Sequence, residues 1–261
     1  MADRRPASAF AAGAAVGTLG GLVGLGGAEF RLPILLSLFR FAPLEAVILN
    51  KAMSLVVVAA ALPFRLVAVP WSAVSAEWPT ILNLLAGSLA GAWLGATWAT
   101  RLPARTFYRI IAAMLLAMAA ALLFGHQAAS GGALLGGAAQ VTAGVAAGLV
   151  IGVVASLLGV AGGEMLIPTL VLLYGADVKL AGSLSLAISL PTMLVGFARY
   201  SRDDAFTVLR RHRGFVLTLA AGSITGALLG ALLLGVVPAS ILLPLLAAVL
   251  VIAAIKVWRH K

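Results

Sequence analysis

The chain has 261 residues, 62% of them hydrophobic and 10% charged, with a mean hydropathy of +1.12 and a formal net charge of +10. Soluble domains run nearer ~45–50% apolar and ~25% charged, so a soluble globular protein is excluded. Zero cysteines exclude disulfides, thiolate metal sites and thiol catalysis, and the apolar stretches lack the alternation of a membrane barrel.

Pro, Gly and charge breaks divide the first half into apolar segments near 8–25, 30–41, 44–67, 79–100 and 105–124, with boundaries good to several residues. The second half gives 140–160, 165–175, 179–198, 214–236 and 238–257. A shift of 135 positions without a gap lays Gly24-Leu25-Gly26-Gly27-Ala28-Glu29-Phe30-Arg31-Leu32-Pro33 on Gly159-Val160-Ala161-Gly162-Gly163-Glu164-Met165-Leu166-Ile167-Pro168. The same shift pairs Gly13 with Gly148, Gly17 with Gly152, Ser54 with Ser189, Gly87 with Gly222, Gly91 with Gly226, Gly95 with Gly230 and Pro103 with Pro238. One unit was duplicated, and we divide the chain into a first repeat 1–125, an external linker 126–139 and a second repeat 140–261. Two hydrophobic copies interrupted at matching places point to a transporter with its substrate site between the halves. The first segment, behind Arg4 and Arg5, has the outline of a secretory or twin-arginine leader. Its counterpart at 145–162 lies deep in the chain, which places it in the fold and predicts that it is retained.

The segments 30–41 and 165–175 are too short to span ~30 Å of hydrocarbon comfortably. Each follows a Gly-rich break and is expected to form a broken or re-entrant hairpin with the segment before it, inside protein rather than facing lipid. Basic residues cluster at Arg4 and Arg5, from Arg101 to Arg109, from Arg199 to Arg213, and at Lys256, Arg259 and Lys261. They flank apolar segments, the footprint of membrane orientation rather than of nucleic-acid binding. The 68–78 loop with Trp71, Glu77 and Trp78, the 125–139 loop and the Val236-Val237-Pro238 turn lack that excess and belong outside. The basic link thus falls between segments four and five in the first copy and between three and four in the second. The expected fold is an all-α integral membrane protein, a helical bundle of two inverted-topology repeats, multi-pass, with both termini cytoplasmic.

Gly24, Gly26 and Gly27, with Gly159, Gly162 and Gly163, either unwind the chain at membrane depth or pack helices closely. Unwinding aims the N–H groups and positive dipole end of the following helix at the break, a ready site for an anion. Pro33 and Pro168 are expected within about the first turn of that helix, where a missing N–H costs least. Glu29 and Glu164 occupy equivalent places beside the breaks. An intramembrane carboxylate is a functional candidate by default, and each of these either titrates during transport or caps a helix start. Lys51, whose repeat partner is Leu186, either meets an anionic substrate or Glu29, or snorkels to the nearer surface. Arg31 faces Leu166 in the repeat and stands two residues from Glu29, a spacing that does not bring helical side chains together. Asn50 and Ser54 correspond to Ser185 and Ser189, with Ser183 close to Ser185. These polar groups line a path or join helices. Gly87-Ser88, Gly91 and Gly95, and Gly222-Ser223, Gly226 and Gly230, recur every four residues and read as packing seams. His126, His212 and His260 fall in loops or the tail. No HExxH, Gly-x-Ser-x-Gly or Walker-type loop occurs, so neither an enzyme, nor a metal or cofactor site, nor an ATP-driven pump acting alone is expected.

The Gly-x-Gly-Gly-x-x-x-x-x-Pro pattern at Gly24 to Pro33, echoed from Gly159 to Pro168 and followed by an Ala- and Ser/Thr-bearing helix, resembles the sulfite exporter TauE/SafE family over most of both halves. The resemblance implies a small bacterial inner-membrane transporter without an ATPase domain that exports sulfite or organosulfonates, with the motif glycines and Pro33 and Pro168 flanking the substrate. The family's run of three glycines reads Gly26-Gly27-Ala28 in one copy and Ala161-Gly162-Gly163 in the other, and Glu29 and Glu164 are not part of the resemblance. The expectation is a secondary transporter for a small anion, with the lipid bilayer as its other partner and a homo-oligomer compatible with everything in the sequence. A passive anion channel, or a membrane-embedded enzyme or scaffold, are the alternative readings.

Overall fold

A computed structural model of the protein describes residues 6–23, 27–124, 135–232 and 239–259. Gly24 and Gly26, most of the 126–139 linker and the Val236-Val237-Pro238 turn lie outside the described residues. Among the described residues all regular structure is helical: α1 (Pro6–Val23), α2 (Ala28–Ser37), α3 (Pro43–Ala68), α4 (Trp71–Ala76), α5 (Trp78–Ala99), α6 (Ala104–Phe124), α7 (Gly137–Leu158), α8 (Gly163–Tyr174), α9 (Val178–Tyr200), α10 (Val208–Arg211), α11 (Arg213–Leu232) and α12 (Ala239–Trp258). The ten expected segments are recovered within a few residues. The short α4 and the 3-10 turn at Asp204–Thr207 leading into α10 were not anticipated in the loops they occupy. Helix starts follow local chemistry. Pro opens α1 and α3 and stands second in α5, where no N–H is needed. The Asp177 carboxylate caps α9 by accepting from the Lys179 N–H at 2.9 Å.

The helices Trp78–Ala99, Gly137–Leu158 and Lys179–Tyr200 are long and apolar enough to cross a membrane. At 10 and 12 residues, α2 and α8 extend only about 15 and 18 Å and cannot span it. The short second segments of the sequence are therefore real.

Long helices pair across the two halves. Helix α1 lies parallel to α11, and α7 lies parallel to α5. A Cβ at Gly13 or Gly17 would run into the backbone of Leu219 or Ser223, and one at Gly222 or Gly226 into that of Phe10 or Ala14. In the other seam Gly87 and Gly91 face the backbone of Val145 and Leu149, while Gly148 and Gly152 face that of Leu84 and Ser88. The 135-residue shift carries α1 onto α7 and α5 onto α11, so the two seams are one contact made twice. Small residues are what lets helices approach where lipid offers no hydrophobic drive. Equivalent helices also meet each other, α3 with α9 and α6 with α12.

Two ends can be told apart. At one, the Arg199 Nε at the end of α9 donates to Thr97 Oγ1 near the end of α5 (2.8 Å), Arg109 at the start of α6 lies over Trp258 at the end of α12, and Phe39 and Phe41 after α2 pack on Phe215 and His212. This end gathers the described basic clusters. At the other, Asn83 of α5 donates to Tyr174 of α8 and Gln140 of α7 donates to the Leu173 carbonyl.

Candidate functional site

The two breaks come together. Gly27 precedes α2 with φ 69°, Gly159 ends α7 with φ 67° and Gly162 precedes α8 with φ 84°, left-handed conformations that glycine adopts without strain. These breaks place Glu29 and Glu164 each second in its helix, and the two carboxyl groups lie close enough to interact directly. The N-terminal ends of α2 and α8, each a positive dipole end, thus converge on one pair of carboxyls. Two carboxylates brought this close repel each other, and a proton shared between them relieves that repulsion. The second oxygen of each, Glu29 Oε2 and Glu164 Oε2, is buried and has no hydrogen-bond partner among the described residues. The buried Arg31 guanidinium acts on Glu29 electrostatically in spite of the two-residue spacing, because it belongs to the same short helix start.

Pro33 and Pro168 lie inside their helices, one turn later than expected. Each stands four residues after the glutamate, and a proline at that place removes the N–H that would bond the glutamate's own carbonyl. The Glu-x-x-x-Pro spacing therefore loosens the helix at the carboxyl-bearing residue in both halves.

Helix α3 supplies the joint between the breaks. Asn50 Nδ2 donates to the Ala28 carbonyl at the start of α2 and to the Leu158 carbonyl at the end of α7, both at 3.0 Å, while its Oδ1 is buried without a partner among the described residues. Ser54 Oγ lies 2.8 Å from the Asn50 carbonyl and 3.3 Å from that of Gly159. Lys51 is fully buried and does not snorkel to a surface: its Nζ donates to the Ala155 carbonyl at 3.2 Å and reaches Ser156 Oγ at 3.5 Å. Its amine sits at the negative end of α7, on an Ala155 carbonyl that the Gly159 and Val160 N–H groups also reach. Gly196 of α9 makes room for it, since a Cβ there would meet Lys51 Cε and Ser156 Oγ. Lys51→Met is expected to lower stability by about 0.5–1.5 kcal/mol through the lost hydrogen bond to Ala155, measured by thermal unfolding in detergent, and an unchanged melting temperature would refute this anchoring role.

Sequence reasoning passed over two participants at this end of α7. Tyr200 is buried and donates its hydroxyl to the Ser156 carbonyl at 2.9 Å, and Ser156 Oγ donates to the Ala92 carbonyl at 2.9 Å. A serine in the apolar last turn of α7 was the available signal for Ser156, and nothing local marks Tyr200. On α9, Ser185 bonds the Gly182 carbonyl of its own helix (2.8 Å) and Ser183 that of Lys179 (3.5 Å). Ser189 Oγ is buried without a partner among the described residues. Ser88 donates to Thr192 Oγ1 at 2.7 Å, because the Thr192 hydrogen goes to the Ile188 carbonyl.

Apolar helices long enough to cross a membrane, two half-length helices meeting end-on, and buried ionisable groups between them define a helical membrane transport protein. The chain belongs to the sulfite exporter TauE/SafE family, whose family model matches residues 9–257. Comparison with curated proteins and with solved structures gives no match.

Proposed function

We propose that the protein exports a small oxyanion, sulfite or an organosulfonate, from the cytoplasm across a bacterial inner membrane, and that Glu29 and Glu164 exchange the coupling proton. The observation that carries this reading is the close carboxyl pair formed by equivalent residues of the two halves. While a proton lies between them, the carboxyls hold the two helix N-termini together. When it leaves, two adjacent negative charges repel and the N-terminal donors become available to an anion. Proton and substrate then compete for one site, which is the requirement for coupling them, and Asn50 Oδ1 and Ser189 Oγ are further polar groups for the substrate to use.

The reading includes inverted repeats, 1–125 and 140–261, joined by the linker 126–139. It is supported by the helix directions: α1 runs beside α11, which starts at the basic end with Arg213, whereas its equivalent α7 runs beside α5, which starts at the other end with Trp78. With the basic end in the cytoplasm, both termini are cytoplasmic, and one repeat rocks against the other to alternate access.

The test is efflux of labelled sulfite from proteoliposomes, with and without an imposed pH gradient, for the native chain and for Glu29→Gln combined with Glu164→Gln. Efflux that follows the gradient is expected for the native chain, with that dependence lost in the double variant. No movement of sulfite would overturn the substrate assignment, and a double variant that still follows the gradient would overturn the coupling. Counterflow by the native chain is also expected and excludes a passive channel.

A further inference from the structure

A second polar cluster lies on the outside of the bundle, away from the carboxyl pair. Helices α5 and α9 pack side by side with their C-terminal ends together. There α5 exposes Trp93 (37%) and Trp98 (50%). Two guanidinium groups from the end of α9 converge on the same indole, Arg199 at 6.0 Å and Arg202 at 5.1 Å from the Trp93 ring centroid. Arg199 is held in place by its 2.8 Å hydrogen bond to Thr97 Oγ1. No carboxylate among the described residues forms an ion pair with either arginine. The adjacent Asp203 is engaged instead with the Ala205 N–H at 2.9 Å.

Two like charges gathered at one exposed aromatic ring repel each other, and a counter-anion relieves that repulsion. The surroundings specify the anion. Both helices expose apolar side chains, Leu94 and Leu194 among them, as expected of a surface that faces lipid. Exposed tryptophans belong at the headgroup level, and the planar guanidinium fork matches phosphate oxygens bidentately. The 135-residue shift replaces all four members with apolar residues, Trp93 by Leu228, Thr97 by Leu232, Arg199 by Phe64 and Arg202 by Val67. The glycine seams were kept in both copies, so this cluster is a feature of one side only and not a requirement of the shared packing.

We propose that Trp93, Thr97, Arg199 and Arg202 form a binding site for the phosphate headgroup of an anionic phospholipid, in the leaflet at the basic end of the molecule. The phosphate lies against the two guanidinium groups and the acyl chains run along the apolar faces of α5 and α9.

The full chain in neutral detergent is titrated with dioleoylphosphatidylglycerol, dioleoylphosphatidylcholine or inorganic phosphate, and bound lipid is counted by native mass spectrometry beside the melting temperature. Phosphatidylglycerol is expected to be retained at least tenfold more tightly than phosphatidylcholine, with Arg199→Gln plus Arg202→Gln removing that preference. Arg101→Gln plus Arg105→Gln, which removes the same charge elsewhere at this end, is expected to keep it. Equal retention of the two lipids, an unaltered preference in the first double variant, or an equal loss in the second would each overturn the site. Inorganic phosphate reproducing the melting shift would overturn the lipid assignment in favour of a free anion. Arg199→Lys plus Arg202→Lys guards against misfolding: charge is kept and the planar fork lost, so a partial preference is expected, whereas full native preference would refute guanidinium recognition.

Discussion

Replacing Gly152 by leucine is expected to abolish the folded protein, and replacing Gly17 by leucine to do the same. A side chain at Gly152 would run into the Ser88 carbonyl and the Ala92 amide of α5, and one at Gly17 into the Ser223 carbonyl and the Ala227 amide of α11. The obstacle is backbone, which has no rotamer to yield, so the paired helices must separate. Overpacking where side chains can adjust costs about 1–3 kcal/mol, and a seam closed by main chain should cost more. Separation also removes the van der Waals contact that holds helices together in lipid. Gly214→Ala is the counter-case, because a Cβ there meets nothing within 4 Å. It should be neutral or stabilising by up to about 1 kcal/mol from helix propensity alone. Recovery of monodisperse protein on size-exclusion chromatography separates the outcomes, and normal recovery of Gly152→Leu would refute the parallel α5–α7 seam.

Asn50→Leu should be the most damaging near-isosteric change at the joint between the breaks. It removes the donor shared by the Ala28 and Leu158 carbonyls, which lie on opposite halves of the chain. Leu158 ends α7, so its carbonyl has no helical partner and is left buried and unpaired. That costs about 1–3 kcal/mol, and loosening the Ala28 contact adds to it. Glu29, next to Ala28, then loses its fixed position against Glu164, so transport should fall further than stability does. Asn50→Asp distinguishes the two effects: it keeps the shape, loses the amide donor and adds a third carboxyl to the joint, and its efflux should shift in pH dependence as well as in rate. If Asn50→Leu retains native efflux, the joint is not needed for transport.

Much of the candidate site was legible from the repeat. Glu29 and Glu164 stood at equivalent places beside equivalent breaks, and the four-residue glycine spacing marked both seams, because a duplicated unit preserves whatever its packing demands. Lys51 was legible as unusual but not as an anchor on the end of α7. Periodicity places a residue on a face of its own helix and says nothing of which helix crosses that face. The Ala155 carbonyl and Ser156 hydroxyl that Lys51 reaches belong to a segment about a hundred residues away. Pro33 and Pro168 were visible at once, while their effect on the glutamate carbonyls depended on where each helix begins, and a left-handed glycine decides that.

What the sequence determined by itself is the membrane character, the recurrence of Gly, Pro and Glu positions at a 135-residue offset, the approximate course of the long and short helices and the glycine spacing of the seams, all of which are local or recur at a fixed offset. The tertiary structure alone decided that the two acids meet, that Asn50 joins the two breaks, that Tyr200 and Ser156 secure the end of α7, and that Arg199 and Arg202 meet over Trp93. Each of these contacts joins groups whose separation along the chain carries no information about their separation in space, because the crossing of whole helices, set by backbone contact at the glycines, brings them together.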